Sequence, residues 1–570
     1  MKKSLIYYIL FFTALVSCGD EFTEVPAVGA LSDAALQNEA GVDLLLIGAY
    51  STLDGIRNNR TGNEFSVSGD NWWLDVLSDD AHKGSTDGDQ ADLFEVEVYN
   101  WSTSNPYILG KWESLFAGVQ RSNAVISLIA GIEGADLSGK LAEARFLRGH
   151  FNFELQRMWG NVPYISEENF AAVEFNQPNP GPIWDQIEAD FEFAIANLPT
   201  TQSDVGRPTQ WTAKAYLGKV HLQQTEWATA LTYLKDVIDN GPFALIGEYV
   251  DNFRLAAENS VESLLAIQFT ADDALSFNGN DGGTLNHPNG GPYGSCCGFY
   301  VPTQDLVNAF QTDGAGLPLL DTFNQTDVTN DAGVNSAGTE DDDTGGDTWT
   351  PHTGPLDPRL DFTVGRRGID YNGYEVHPGK DWIRAGFSDI SGPYLPKKNV
   401  YHSGETANEG TGDWGQQRSG INYHIMRFSD VLLMAAEAAV ETGDVASALT
   451  WVNEVRNRAK NMTYVKDESG ADAANYQIEP YPSFPDQAYA RKAVRFERRL
   501  ELGMEGGRLF DLRRWGNSVT VINEYVANET RTIENFGPKV LPYTATNDLL
   551  PIPLGAIDLS GNILEQNPGY

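Results

Sequence analysis

Six of the thirteen tryptophans lie in polar, Gly- and Asp-rich stretches: Trp72, Trp73, Trp101, Trp349, Trp382 and Trp414. A loop offers little core in which to bury an indole. The flat indole face matches the C–H face of a sugar ring. Stacking the two removes apolar area from water and leaves the hydroxyls free for polar neighbours. The competing account is that each indole pins its own loop. Polar partners stand beside several of them. Asp381-Trp382-Ile383-Arg384 sets a planar guanidinium fork next to an indole, and such a fork can bond two adjacent hydroxyls. Asp413-Trp414 repeats the acid–indole pairing, with Gln416, Gln417 and Arg418 behind it. Asn58-Asn59-Arg60 and the run Asp87 to Gln90 add donors and acceptors suited to vicinal diols. The candidate ligand contacts are Asn58, Asn59, Trp73, Asp89, Trp101, Tyr293, Cys296, Cys297, Trp382, Arg384, Asp413 and Trp414.

Covalent chemistry has no comparable signature. The eight histidines show neither His-x-x-x-His nor His-Glu-x-x-His spacing. There is no Gly-x-Ser-x-Gly elbow and no phosphate loop. A glycosidase needs two carboxylates flanking one bond; among 79 acids, neighbouring pairs such as Asp79-Asp80 arise by chance and discriminate nothing. A protein without catalysis is expected, and no cofactor. Glu340-Asp341-Asp342-Asp343 with Asp347 offers hard oxygens of the kind Ca²⁺ takes. It lacks the Asp-x-Asp-x-Asp-Gly spacing of a dedicated site and reads first as a solvated loop.

Cys296-Cys297 sits between Tyr293 and Phe299-Tyr300. Bonding adjacent cysteines strains the intervening peptide, so such neighbours are usually free thiols. In an oxidising compartment, two exposed thiols side by side are reactive. A disulfide between Cys296 and Cys297 would make a rigid apolar knob able to press on a sugar face; two free thiols are the alternative.

The amino terminus gives the compartment. Met1-Lys2-Lys3 is cationic, Leu5 to Val16 is an apolar run, and Leu15-Val16-Ser17-Cys18 is a lipobox pattern. A membrane span needs roughly 20 apolar residues, so this run reads as a secretory signal over residues 1–17. Cys18 becomes the lipidated first residue, and Gly19-Asp20-Glu21 resembles an export signal to the outer face of an outer membrane. The formal charge of −40 becomes −42 once Lys2 and Lys3 are removed. Such a surface disfavours nucleic acid and anionic membrane as partners.

Helices must position the loops. Residues 18–38 read as a tether, and a helix begins near Glu39 and passes Tyr50. Trp112, Leu115, Phe116, Val119, Asn123 and Ile126 fall at three- and four-residue steps, as do Ala144, Leu147, Phe151, Leu155 and Met158. Trp184 to Leu198 is a further helix, stopped by Pro199. Over 210–242, Leu217, Gly218, His221, Ala230, Leu234 and Pro242 fit the tetratricopeptide offsets. Small residues there admit a second helix and large ones fill the groove. A second pair spans Ser429 to Lys460, turning at Gly443-Asp444. The expected architecture is mostly α: divergent tetratricopeptide-like helix pairs on one scaffold, not an uninterrupted solenoid. The scaffold covers about 39–54, 107–260 and 427–527. Loop regions of about 54–106 and 270–426 carry the ligand face, and short strands such as Leu264 to Phe269 are expected at their edge. Long loops without elements are usually functional. Residues 39–570 form one domain on this reading.

Five segments, in order, resemble the SusD/RagB family of outer-membrane nutrient-binding lipoproteins. They are Ala142 to Phe151 continuing to Met158-Trp159-Gly160-Asn161-Val162-Pro163; Arg207-Pro208-Thr209 with Ala213 to Leu222; Arg427 to Ala438 with Val452 to Ala459; Glu497-Arg498-Arg499-Leu500-Glu501-Leu502 through Arg514-Trp515-Gly516; and Leu550-Pro551-Ile552-Pro553 with Gln566 to Tyr570. Phe428, where Tyr is usual, and Gly503-Met504 are mild departures. The run Gly294 to Phe310 is similar to a subgroup with adjacent cysteines that includes levan- and laminarin-binding members. The resemblance implies capture of a neutral glucan or fructan at the cell surface and delivery to a TonB-dependent, SusC-like transporter. Competing readings are a surface glycoside hydrolase and a peptide-capturing member of the same family. The motif charges Arg145, Arg148, Glu437, Arg498, Arg499, Glu501 and Arg508 lie beside apolar residues on amphipathic helices. Buried charges must be paired, so these are expected to knit helices together and not to act on a ligand.

Overall fold

A computed structural model describes residues 36–55, 62–271, 279–294, 297–329, 350–379, 382–384, 392–398, 400–405, 409–411, 417–533 and 535–570. Twelve helices set the frame: α1 (Glu39–Tyr50), α2 (Ala91–Glu97), α3 (Pro106–Ala130), α4 (Ser138–Trp159), α5 (Trp184–Asn197), α6 (Gln210–Gln223), α7 (Trp227–Asn240), α8 (Phe428–Thr442), α9 (Val445–Asn461), α10 (Gln487–Leu502), α11 (Arg508–Arg514) and α12 (Ser518–Glu529). Each of α3 to α9 packs on the next in chain order, and α10 closes on α8 and α9. The chain leaves this stack after α7 and re-enters it as α8, which packs directly on α7. The helical layer is thus continuous in space although a long insert interrupts it in sequence.

Local chemistry explains the helix ends. Asn38 accepts from the Gly41 amide and caps α1. Thr209 and Thr212 form a reciprocal capping box at α6. Gly443 ends α8 in the left-handed region (φ 89°), and Asp444 accepts from Ser447 to begin α9. The small-residue expectation holds at the α6–α7 contact: a Cβ on Gly218 would lie 2.7 Å from Leu234 Cγ.

The motif charges knit the helices, as expected. Arg148 gives two 2.7 Å bonds to Asp190 of α5 and one of 2.8 Å to Asn123 of α3. Arg498 joins Asp511 and Asp430; Arg514 and Trp515 both bond Glu437. Arg499 reaches Asp80 and Asp305 at 2.8 Å, and Arg508 takes Asp79 with two 2.8 Å bonds. Burial opposes ionisation of Glu501, but Arg458, Arg427 and Arg359 hold its carboxyl well below the usual range.

Residues at the carboxyl end close the layer. Asn567 Nδ2 donates to the carbonyls of Trp159 and Leu550, both at 2.8 Å, and Trp159 Nε1 donates to Pro551 O at 3.0 Å. Outside the helical layer, strands come in antiparallel pairs. β1 (Ala81–Gly84) pairs with β3 (Phe299–Pro302), Ala81 opposite Pro302 and Gly84 opposite Phe299. β2 (Ser263–Ile267) pairs with β4 (Tyr423–Arg427), with register shifts after His424. The first ladder carries the candidate site.

Candidate functional site

Two loops leave the same end of the β1–β3 ladder, residues 84–90 after β1 and the segment before β3, of which 287–294 and 297–298 are described. Gly84 lies at φ 82°, and a Cβ there would sit 2.3 Å from the Gly298 carbonyl. Ser85 and Gln90 also adopt positive φ, 57° and 54°. Left-handed non-glycine residues cost on the order of 1 kcal/mol each and need fixing by their surroundings. Lys83 does some of that. Its Nζ donates to the carbonyls of Gly84 (2.6 Å), Thr86 (2.8 Å) and Asp89 (2.8 Å). Lys83 is fully buried, 5.0 Å from the centre of the Phe299 ring. Burial lowers its pKa to about 8, which leaves the ammonium dominant at neutral pH. At the rim, Asp89 Oδ2 accepts from Ser85 Oγ at 2.7 Å and meets Arg384 Nη1 at 3.0 Å. The two side chains are 27% and 38% exposed.

Beneath this pair the second loop folds on itself. The amides of Cys297 and Gly298 both donate to the His287 carbonyl, at 3.0 and 2.7 Å. Cys297 is disulfide-bonded and buried. Tyr293 donates its hydroxyl to Tyr401 O at 2.7 Å and meets Tyr371 and Tyr374 edge-on. Trp382 stands edge-on to Tyr371 and His377. These rings belong to a small apolar cluster of the insert, separate from the main core. Gly291, at φ 61°, admits the Trp382 indole: a Cβ there would lie 2.2 Å from the ring.

The structure therefore gathers Asp89, Arg384, Trp382, Tyr293 and Cys297 at one place. It does not gather the rest of the candidate set. Trp73 is 0% exposed and packs on Tyr107; Trp101 is 8% exposed beside Tyr99. Both indoles, and Trp72 against Tyr423, are core residues that pin their own segments. Trp382 is itself 5% exposed, and Tyr293 is buried too, so both form the floor under the rim instead of an open stacking face. The expectation of a shared platform of exposed indoles is corrected for these positions, because each ring is buried against other aromatic side chains, those on Trp72 and Trp73 arriving from far along the chain. Asn58, Asn59, Cys296, Asp413, Trp414 and Trp349 lie outside the described residues, as do the acidic run 340–347 and Cys18. Lys83 escaped the sequence reading. Its only signal was a lysine followed at once by the turn-rich run Gly84 to Asp89.

One other cluster has metal-ligand chemistry among the described residues. Glu188, His221 and Glu226 bring their donor atoms within 4.8 Å of one another at the α5–α6–α7 turn. His221 Nδ1 is bonded to Glu226 at 2.7 Å. Among the described residues no helix is long and apolar enough to cross a membrane.

Comparison with known proteins agrees with this architecture. Residues 261–570 match the model described as "SusD family". The chain belongs to the SusD family. Residues 28–222 also match a model described as "Starch-binding associating with outer membrane". SusD-family membership places the chain among non-catalytic carbohydrate-binding proteins. A SusD-like protein of Formosa agariphila is 22% identical over 100% of this chain and 99% of its own length. Surface glycan-binding protein A from Bacteroides fluxus shares the fold with a TM-score of 0.67 at 21% identity, covering 94% of this chain and 100% of that one. The protein of the same title from Bacteroides thetaiotaomicron, solved in complex with laminarihexaose, superposes with a TM-score of 0.63 at 19% identity, over 93% of this chain and 99% of its own.

Proposed function

We propose that this SusD-family protein captures a neutral polysaccharide or oligosaccharide at the cell surface and passes it to a TonB-dependent outer-membrane transporter. A β-glucan such as laminarin, or a fructan such as levan, is the ligand class. A lipid on Cys18 holds the protein at the outer membrane. The family match over residues 261–570 carries the reading, and the laminarihexaose complex of a structural neighbour supports the ligand class. The Asp89–Arg384 pair is the proposed contact. It is partly exposed, planar on the arginine side, and close in the chain to Trp382, which shares a small apolar cluster with Tyr293. Such an ion pair can trade its mutual contact for bonds to adjacent hydroxyls with little motion. The bond at Cys297 is proposed to be made with Cys296, and Asn58, Asn59, Asp413 and Trp414 are proposed as further contacts.

Affinity electrophoresis and titration calorimetry against laminarin, levan, starch and a mixed peptide digest test the reading. Binding to at least one neutral polysaccharide is expected. Binding to peptides alone would overturn it, as would hydrolysis of the bound polysaccharide.

A further inference from the structure

Three backbone carbonyls from one short loop converge on a single point, and a lysine occupies it. Gly84, Thr86 and Asp89 direct their oxygens to Lys83 Nζ at 2.6, 2.8 and 2.8 Å. Loops that turn several carbonyls inward usually do so around a hard cation such as Ca²⁺, which takes oxygen ligands at about 2.3–2.6 Å. Here the cation is part of the chain, delivered from β1. We infer that Lys83 is the resident cation of the 84–90 loop and the residue that positions Asp89 against Arg384; the link to ligand rests on the function proposed above.

Two observations make the ammonium, and not merely the aliphatic stem, the element that matters. First, the loop carries conformations that need a fixed partner. Gly84, Ser85 and Gln90 all lie at positive φ, and the inward carbonyls belong to Gly84 itself, Thr86 and Asp89. A loop with inward carbonyls and no cation leaves buried acceptors unpaired. Second, a fully buried lysine is among the costlier residues to keep. A methionine would fill the same space over Phe299 without that cost, so the charge itself has a task. Of the charged groups around Lys83, the carboxylates favour the ammonium and Arg384 opposes it. Glu97 comes from α2, Asp87 and Asp89 from the loop, and Arg384 from the segment across the rim. Asp87 is in turn tied to Lys539 at 2.8 Å.

The consequence is geometric. The carbonyl of Asp89 is fixed by Lys83, and its carboxylate is fixed by Ser85 and Arg384. Removing the ammonium releases the backbone end of that arrangement while leaving Arg384 and the Trp382 floor in place. Lys83 touches no ligand on this account; it acts through Asp89.

Hydrogen exchange and glycan titration on the full chain test it. In Lys83→Met, amides 85–90 should exchange at least tenfold faster than in the parent, while amides of α6 and α8 keep their protection. Affinity for the polysaccharide that the parent binds should fall at least fivefold. In Lys83→Ala, n-butylammonium chloride should restore protection of 85–90, and potassium chloride at the same concentration should not. That rescue separates a missing charge from missing packing, and the smaller variant serves where Met perturbs folding. Unchanged exchange of 85–90 in both variants would overturn the inference. So would faster exchange that butylammonium does not slow, and faster exchange with unchanged glycan affinity. A parent protein that binds no polysaccharide would defeat the proposed function instead, and the exchange and rescue results would still decide whether Lys83 organises the loop.

Discussion

Arg384 Nη1 lies 3.0 Å from Asp89 Oδ2, although Arg384 belongs to the insert between α7 and α8 and Asp89 to the segment before α2. Both side chains keep contact with solvent, and exposed pairs of this kind contribute roughly 0–1 kcal/mol to stability. Arg384→Ala and Asp89→Ala are therefore expected to leave the melting temperature within about 2 °C of the parent. Their effect should fall on glycan affinity, with losses of several-fold in titration calorimetry. Unchanged affinity in both variants would remove the pair from the site.

The indoles predict the opposite pattern. Trp73 is wholly enclosed, with Tyr107 at a ring separation of 5.8 Å. Trp73→Ala should cost about 3–5 kcal/mol in urea unfolding, the range for emptying a large aromatic site. Trp382→Ala should lower stability and glycan affinity together, because the indole supports both Tyr371 and the turn at Gly291.

Arg148 and Asp190 form a doubly bonded buried pair at 2.7 Å. Removing one partner strands a charge in the core. Arg148→Met alone should lose about 3–5 kcal/mol. Adding Asp190→Leu should recover most of that loss, since the buried partner charge is then gone as well and Glu167, the other acid on Arg148, is 30% exposed. A double variant no more stable than the single one would show that the α3–α4–α5 contact depends on the ions themselves.

His82 predicts a pH dependence. Burial pushes its pKa down, but hydrogen bonds and charge from Glu529 and Glu97, at 2.8 and 2.9 Å, outweigh it and raise the value to about 9. A group raised above its unfolded value near 6.5 stabilises fully below that pH, and the contribution fades as pH rises through the folded value. Stability should therefore fall between about pH 6.5 and pH 9. His82→Gln should show a lower melting temperature at pH 6 and a flatter profile above it. A parent profile that does not decline across this interval would show that the imidazole is neutral in the folded protein.

Much of the helical frame was legible because the information is local. Apolar steps, the Pro199 stop and the Gly443-Asp444 turn are all read within a few residues, and α5, α8 and α9 sit where those signals place them. The ion pairs were legible in kind, since a charged residue on an apolar helix face must find a partner. The candidate site was much less so. Trp72 and Trp73 look stranded in a polar stretch, yet Tyr423 and Tyr107 arrive from far along the chain to enclose them. The β1–β3 ladder joins two short segments that local pattern alone cannot pair. Lys83 was invisible because its partners are carbonyls, which every residue carries.

The Asn567 clasp on Trp159 and Leu550 has a consequence for the order of assembly. The end of α4 is built early in synthesis, but the groups that satisfy it arrive only with residues near the carboxyl terminus. Until then the Trp159 carbonyl lacks its partner and the wall formed by Leu550 to Ile552 is missing. A contact of such long range forms late and slows folding. The end of α4 is therefore fully satisfied only when residues 550–567 are in place against it.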